Sequence, residues 1–217
     1  MFQTGYLTID RVDNTNVGQK ISFFSNLLSL DISLENPLAL KIKSEAIVQA
    51  FANKSALDLE TSFHQFLAMV HNKLHIPLES FYQTSLMFVM ALVDHSVKIE
   101  DPTGDGYIDM VLEISKTDIF IIEMKYIKID NMVNNVKSTQ TKIKKSSYKP
   151  EDQSQIQANR DAAIRRLMNL KAIEALKQID EKNYVSKYLG LGKNVNKVSL
   201  VIYDKTKIYA LFNKNKI

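Results

Sequence analysis

The stretch IDMVLEISKTDIFIIEMKY, residues 108–126, joins two apolar segments through a short polar turn. Alternation of residue character predicts a strand at Tyr107–Ile114 and a second at Ile119–Tyr126. Because only Ser115–Asp118 separates them, we expect the two strands to form an antiparallel hairpin. This hairpin is the most strand-like part of the chain, and the rest of the fold is interpreted around it.

Charged residues interrupt both strands at positions where a sheet normally carries apolar side chains. Successive side chains of a strand point to opposite faces, so Glu123 and Lys125 are expected to project together. Strand pairing can then bring Asp109 beside them. In the first strand the expected faces are Ile108, Met110, Leu112 and Ile114 on one side, and Tyr107, Asp109, Val111 and Glu113 on the other.

Two carboxylates and one ammonium group on an apolar sheet are costly to bury unless they pair with each other or bind a cation. Carboxylate oxygens favour Mg²⁺ or Mn²⁺, and a neighbouring lysine can orient water or stabilise developing phosphate charge. A structural ion pair at the edge of the sheet explains the same spacing. The three residues alone therefore leave a metal site and an ion pair both open.

Composition places the chain among soluble globular proteins. Its 217 residues are 45% hydrophobic and 24% charged, which allows one domain with a substantial core. Cysteine is absent, so disulfides and thiolate metal sites are excluded. The N-terminus lacks the pattern of a signal peptide, and the longest apolar run, Leu86–Val93, is too short to span a bilayer. We expect a cytoplasmic protein without membrane segments.

Charge is distributed unevenly along the chain. Residues 1–125 contain 9 Lys and Arg against 16 Asp and Glu, whereas residues 126–217 contain 19 against 8. A basic half beside an acidic one suggests a surface for polyanions next to a site for cations. A solvated lysine-rich surface accounts for the same numbers. The densest basic region contains Lys142, Lys144 and Lys145, followed by Arg160, Arg165 and Arg166, and we expect these residues to contact nucleic acid.

The order of predicted elements is helices, hairpin, helix, hairpin. Helices are expected from Ser44 as N-cap, from about Asp58 to Leu74, and at Leu78–Asp94. A long polar segment, residues 128–156, precedes a helix at Gln157–Ile179, and two strands, Val198–Tyr203 and Ile208–Phe212, end the chain. This order predicts an α/β fold with one mixed sheet. We divide the chain into a mostly helical accessory region, 1–76, and a core, 77–217, with a Lys-rich insert at 128–156.

Four blocks of the sequence resemble the PD-(D/E)XK nuclease superfamily, in particular the subfamily usually fused behind an AAA-ATPase-like domain. These blocks are FQTGYLTI (2–9), LESFYQTSLMFVMALV (78–93), GYIDMVL with IFIIEMK (106–125), and ALKQIDEKNY (175–184). The resemblance implies a restriction-endonuclease-like mixed sheet flanked by helices, with an N-terminal helical extension. It also implies a metal-dependent nuclease that hydrolyses phosphodiester bonds through a water activated by Mg²⁺ or Mn²⁺, with DNA as the expected substrate.

The resemblance assigns roles to individual residues. Asp109, Glu123 and Glu79 become metal ligands, together with the main-chain carbonyl of Met124. Lys125 becomes the catalytic lysine, and Glu79 and Gln178 complete the catalytic set. Tyr184 matches a tyrosine that in related nucleases lies near the site and the DNA.

The sequence departs from the family pattern at two points. Tyr107 replaces the usual arginine, and no Walker-type phosphate loop occurs, so the ATPase half is absent and a separate AAA-ATPase-like protein is a candidate partner. Two other interpretations therefore stay open. One is a catalytically inactive nuclease fold that binds nucleic acid or protein, and the other is an interaction protein that uses its Lys-rich segment.

Overall fold

We analysed a computed structural model of the chain, which describes residues 8–15, 18–24, 37–70, 78–128, 150–205 and 207–213. The helices in these ranges are α1 (Pro37–Ala52), α2 (Ala56–Leu67), α3 (Glu79–Leu92), α4 (Pro150–Glu181) and a 3₁₀ helix (Tyr184–Tyr188). The strands are β1 (Thr8–Thr15), β2 (Gly18–Phe24), β3 (Ser96–Thr103), β4 (Gly106–Glu113), β5 (Asp118–Ile127), β6 (Asn194–Tyr203) and β7 (Lys207–Asn213). None of the helices in the described ranges is long and apolar enough to cross a lipid bilayer.

A five-stranded mixed sheet forms the centre of the fold, with the order β3-β4-β5-β6-β7. Among the described strands of this sheet, β5 and β6 pair in parallel, and the three other pairs are antiparallel. Strands β1 and β2 form a separate two-stranded antiparallel sheet. The predicted α/β class with a mixed sheet and preceding helices is confirmed, as are both predicted hairpins.

Helices cover both faces of the sheet. Helices α1, α2 and α3 pack on one face, where the buried side chains include Phe51, Phe63, Tyr82 and Phe120. Helix α4 and the 3₁₀ helix cover the other face, where Leu176 and Ile179 meet apolar residues of β4 and β5. The sheet is therefore buried on both sides, which explains its nearly continuous apolar strands.

Helix boundaries differ from those predicted. Ser44 is not an N-cap: α1 begins at Pro37, and the buried Ser44 hydroxyl donates to the carbonyl oxygen of Leu40 at 3.0 Å. The serine that does cap a helix is Ser55, whose Oγ accepts from the Asp58 amide at the start of α2. Helix α4 has 32 residues and begins at Pro150, so it starts earlier than predicted and includes the last part of the polar segment 128–156.

The alternation of faces breaks in the middle of the β3–β4 hairpin. Ile108 was expected beside Met110, but it packs instead in the α4-side cluster with Tyr184 and Tyr188. The strand register pairs Ile99 with Met110 and Asp101 with Ile108, and it omits the pair between them. That omitted pair is Glu100, with a positive φ of 51°, and Asp109. A left-handed residue inside a strand rotates the chain locally, which explains why the prediction for Ile108 was wrong.

Candidate active site

The β4–β5 ladder ends before the strands do. Its last pair is Met110 with Ile122, although β5 continues to Ile127 with β6 on its other side. Beyond Ile122, the edge of β5 that faced β4 is therefore open. Its amide groups need other partners because an unpaired buried N–H group is costly. The charged residues noted in the sequence lie at this opening.

Two carboxylates replace β4 as the partners of these amides. Asp109 Oδ2 accepts a hydrogen bond from the Met124 amide at 2.8 Å, and Glu79 Oε2 accepts from the Tyr126 amide at 3.2 Å. Met124 and Tyr126 are alternate residues of β5, so their amides lie along the same edge. Glu79 is the first residue of α3 and reaches this edge from the opposite face to α4. The site thus spans the opening between the two faces of the sheet.

Glu123 is the most deeply buried charged residue of the site, with no exposed surface. Its Oε1 accepts hydrogen bonds from Lys125 Nζ at 2.7 Å and from Gln178 Nε2. Its Oε2 is buried without a hydrogen-bond donor in the described part of the chain, and Glu123 and Asp109 hydrogen-bond to each other when one of the two carboxyls holds a proton. Lys125 keeps 30% of its side chain exposed, so it joins this buried carboxylate to the surface.

The pKa shifts show an excess of negative charge. Burial, and then the charge of Asp109, raise the pKa of Glu123 to about 7. Burial also raises the pKa of Asp109, which its hydrogen bond from Met124 offsets only in part. Burial and the nearby Asp109 charge raise the pKa of Glu79. Burial alone would lower the pKa of Lys125, but its hydrogen bond to Glu123 and the surrounding carboxylates raise it. Three carboxylates therefore face one ammonium group.

The residues present fit a hard divalent cation. Glu123 Oε2 offers an oxygen ligand, and Asp109 lies near enough that its charge raises the pKa of Glu123. The Met124 carbonyl lies along the open edge of β5, as its amide does. In the described ranges no group of three acidic, histidine or cysteine side chains could hold a metal ion alone. Two carboxylates, one carbonyl and water match the incomplete protein shell that Mg²⁺ accepts.

Helix α4 and the 3₁₀ helix supply the polar side chains above the site. Gln178 lies near the end of α4 and donates to Glu123, as described. Tyr184 is only 2% exposed and contributes to the α4-side cluster. The Gln178 side chain lies near the Tyr184 hydroxyl, and this proximity offsets part of the rise in the pKa of Tyr184 that burial causes. The tyrosine predicted to contact nucleic acid is therefore buried beside the glutamine in this structure.

The predicted basic residues lie away from these side chains or outside the described residues. Arg160, Arg165 and Arg166 are exposed on α4, about 18–27 Å from Gln178 at about 1.5 Å per helical residue. Arg165 also bonds Glu60 Oε2 at 3.3 Å and lies over the Tyr209 ring. Lys142, Lys144 and Lys145 lie outside the described residues.

Sequence reasoning missed two buried polar residues near the site. Ser199 is the Cα partner of Glu123 in the β5–β6 ladder, has no exposed surface, and its Oγ has no hydrogen-bond partner in the described ranges. Its signal was a single serine within the apolar run Val198–Tyr203. Asp101 is only 8% exposed, but the Pro102 and Gly104 that follow it are typical of a turn, so its sequence context does not indicate burial.

Comparison with known families agrees with this geometry. The family model described as the PD-(D/E)XK nuclease superfamily matches residues 78–210, which is more than half of the chain and includes every element of the site. Comparisons with curated proteins and with solved structures gave no significant match. The mixed sheet flanked by helices is that of a restriction-endonuclease-like fold. The chain therefore belongs to the PD-(D/E)XK nuclease superfamily.

Proposed function

We propose that this protein is a metal-dependent nuclease that hydrolyses phosphodiester bonds, with DNA as its substrate. The observation that carries the proposal is the pair of carboxylates Asp109 and Glu123 at the open edge of β5, where Glu123 Oε2 is buried without a hydrogen-bond donor in the described ranges and Lys125 supplies the nearby positive charge. A buried carboxylate oxygen without a donor is unfavourable unless a cation or a proton completes it, and a single cation would satisfy Glu123 and Asp109 together. Membership of a nuclease superfamily supports phosphodiester hydrolysis as the reaction class.

Asp109, Glu123 and the Met124 carbonyl would hold the metal, with Glu79 at the edge of its shell. When bound, Mg²⁺ or Mn²⁺ lowers the pKa of a water molecule and screens the negative charge of a phosphate. Glu79 already anchors the open edge of β5 through the Tyr126 amide. This contact fixes the strand that carries two of the three ligands.

Lys125 would stabilise the charge that develops on the phosphate during cleavage. Its ammonium is held 2.7 Å from Glu123 and remains partly exposed, so a phosphate in the opening can reach it. A positioned cation that needs no reorganisation lowers the energy of an anionic transition state. Gln178 orients Glu123 from the side of α4, because its amide donates to the same oxygen as Lys125.

The remaining assignments belong to the same proposal. Arg160, Arg165 and Arg166, with Lys142, Lys144 and Lys145, would bind the phosphate backbone. The protein would be cytoplasmic and would act with a separate AAA-ATPase-like partner. Residues 1–76 would be an accessory region and residues 77–217 the nuclease core. The alternative is a catalytically inactive binding module, which the replacement of the family's arginine by the 65% exposed Tyr107 favours.

The test is cleavage of supercoiled plasmid, linear duplex, single-stranded DNA and RNA in Mg²⁺, Mn²⁺ or EDTA. Asp109→Asn and Lys125→Ala are compared with wild type. Glu113→Gln is the control, because Glu113 lies at the other end of β4 and pairs with Lys193 at 2.6 Å. We expect metal-dependent cleavage that is reduced at least 100-fold in both site variants and unchanged in the control.

Two outcomes would contradict the proposal. Cleavage that persists in EDTA, or in Asp109→Asn, would exclude the proposed metal site. If folded wild type binds Mn²⁺ and nucleic acid but cuts none of the substrates, with or without an AAA-ATPase-like protein, the binding-module interpretation replaces it.

A further inference from the structure

A polar cluster with a buried carboxylate and an exposed lysine lies outside the proposed catalytic residues. Asp101 Oδ2 on β3 accepts hydrogen bonds from Lys187 Nζ and Tyr188 Oη, both at 2.5 Å. Lys187 Nζ also donates to the carbonyl oxygen of Pro102 at 2.7 Å. Asp101 and Tyr188 are 8% and 3% exposed. These contacts join the β3–β4 hairpin to the 3₁₀ helix.

Each end of this cluster is next to a residue of the site. On the hairpin, Asp101 pairs with Ile108, which directly precedes Asp109. On the other side, the 3₁₀ helix begins with Tyr184, whose hydroxyl lies near the side chain of Gln178. Gly106 allows the β3–β4 hairpin and the 3₁₀ helix to approach closely, since a Cβ at this position would lie 3.3 Å from Tyr184 Oη. The cluster thus connects the strand that bears Asp109 with the helix end that holds Glu123.

The position of Asp109 requires such a connection. Because the β4–β5 ladder ends at Met110, the main chain at Asp109 is not paired with β5. Its neighbours are held on the β3 side, and Glu100 opposite is omitted from the ladder as well. The separation between Asp109 and Glu123 therefore depends on what fixes the hairpin to the rest of the fold.

We propose that Asp101, Lys187 and Tyr188 form a brace that sets the position of Asp109 relative to Glu123, with Asp101 as its central positioning residue. Charge-assisted hydrogen bonds in a buried setting are among the strongest polar contacts. Burial opposes ionisation of Asp101, but the hydrogen bonds from Lys187 and Tyr188 outweigh it and lower the pKa of this carboxyl. Asp101 is thus a charged acceptor at neutral pH, which an asparagine cannot reproduce.

The inference rests on the proposed function in one respect, namely that Asp109 and Glu123 bind a metal. The experiment therefore has two independent measurements. The first is the Kd of Mn²⁺, measured by titration without nucleic acid. The second is hydrogen exchange of the Met124 amide in EDTA, which reports its bond to Asp109 Oδ2 whether or not metal binds.

The variants are Asp101→Asn, which keeps the shape and removes the charge, and Tyr188→Phe, which removes one hydroxyl. Glu113→Gln again breaks an ion pair on β4 away from the site. We expect Asp101→Asn to weaken Mn²⁺ binding about tenfold, with a smaller loss in Tyr188→Phe and none in Glu113→Gln. Exchange at Met124 should accelerate about tenfold in Asp101→Asn, while exchange at Tyr126, held by Glu79, stays unchanged.

The possible failures are distinguishable. If wild type binds no Mn²⁺, the metal site is wrong, and the Met124 exchange still decides the brace. If Asp101→Asn is folded and matches wild type in Mn²⁺ affinity and in Met124 exchange, the brace is excluded. If Asp101→Asn only lowers the melting temperature and accelerates amide exchange equally at Met124 and Tyr126, the cluster has a purely structural role. This result would also overturn the proposal.

Discussion

Replacing Glu123 by glutamine should change how the stability of the metal-free protein depends on pH. Burial and the Asp109 charge raise the pKa of Glu123 from 4.5 to about 7 in the folded state. A carboxyl with a raised folded pKa prefers to keep its proton in the folded protein. Stability is therefore lost as the pH rises from the unfolded pKa through the folded one, and the loss is complete above about 7.

The size of the effect follows from the two pKa values. One unit corresponds to about 1.4 kcal/mol, so the full shift corresponds to roughly 3 kcal/mol. Most of this falls between pH 5 and pH 8, which leaves roughly 2 to 3 kcal/mol to be seen across that range. Glutamine has no proton to lose and can still accept from Lys125 and Gln178. Glu123→Gln should therefore be more stable than wild type at pH 8 and nearly equal to it at pH 5.

The measurement is urea denaturation at pH 5, 6, 7 and 8 in EDTA, with the free energy of unfolding extrapolated to water. Glu113→Gln serves as the control, because Glu113 forms an ion pair with Lys193 at the opposite end of β4. Parallel pH profiles for wild type and Glu123→Gln would refute the reasoning, since they would mean that Glu123 is ionised in the fold without cost.

Three further predictions concern single side chains. Ser199→Ala should raise the free energy of unfolding by about 1 kcal/mol, because it removes a buried hydroxyl that has no partner in the described ranges. Ser85→Ala should lower it, because the Ser85 hydroxyl donates to the carbonyl oxygen of Phe81 at 2.8 Å. Urea denaturation of both variants tests the difference. Glu100→Gly should stabilise the fold by about 1 kcal/mol, because glycine adopts the positive φ of this position without strain, whereas Glu100→Ala should not. Equal melting temperatures of the two variants would argue against backbone strain at residue 100. Arg166→Ala should weaken DNA binding and reduce the salt dependence, the slope of log K against log salt, by about 1, and an unchanged slope in a salt titration would remove α4 from the interface.

Much of the sheet was predictable because the relevant physics is local. The period of two in residues 107–126 predicted β4 and β5, and their spacing predicted that Asp109, Glu123 and Lys125 meet. The resemblance added Glu79 and Gln178, and hydrogen bonds link both to β5. In each case a local pattern or a family motif was enough to find the residue.

The geometry of the opening was not predictable, because it depends on contacts distant in sequence. Strict alternation placed Ile108 with Met110, and only the left-handed Glu100 reverses this. The burial of Asp101 could not be predicted, because its hydrogen-bond partners Lys187 and Tyr188 lie far along the chain. Likewise, Ser44 was predicted as an N-cap, but α1 already begins at Pro37, so Ser44 lies inside the helix.

The parallel pairing of β5 with β6 has a consequence for how such a protein can diversify. A parallel pair must be joined by a crossover, and here it contains residues 128–193, with α4 at its distal part. The entropic cost of a longer crossover grows only slowly with length, so residues can be added or lost there while the strand that bears Glu123 and Lys125 keeps its register. The lysine-rich sequence before α4 lies in this connection. A change of length in this connection therefore need not move Glu123 and Lys125 relative to β6.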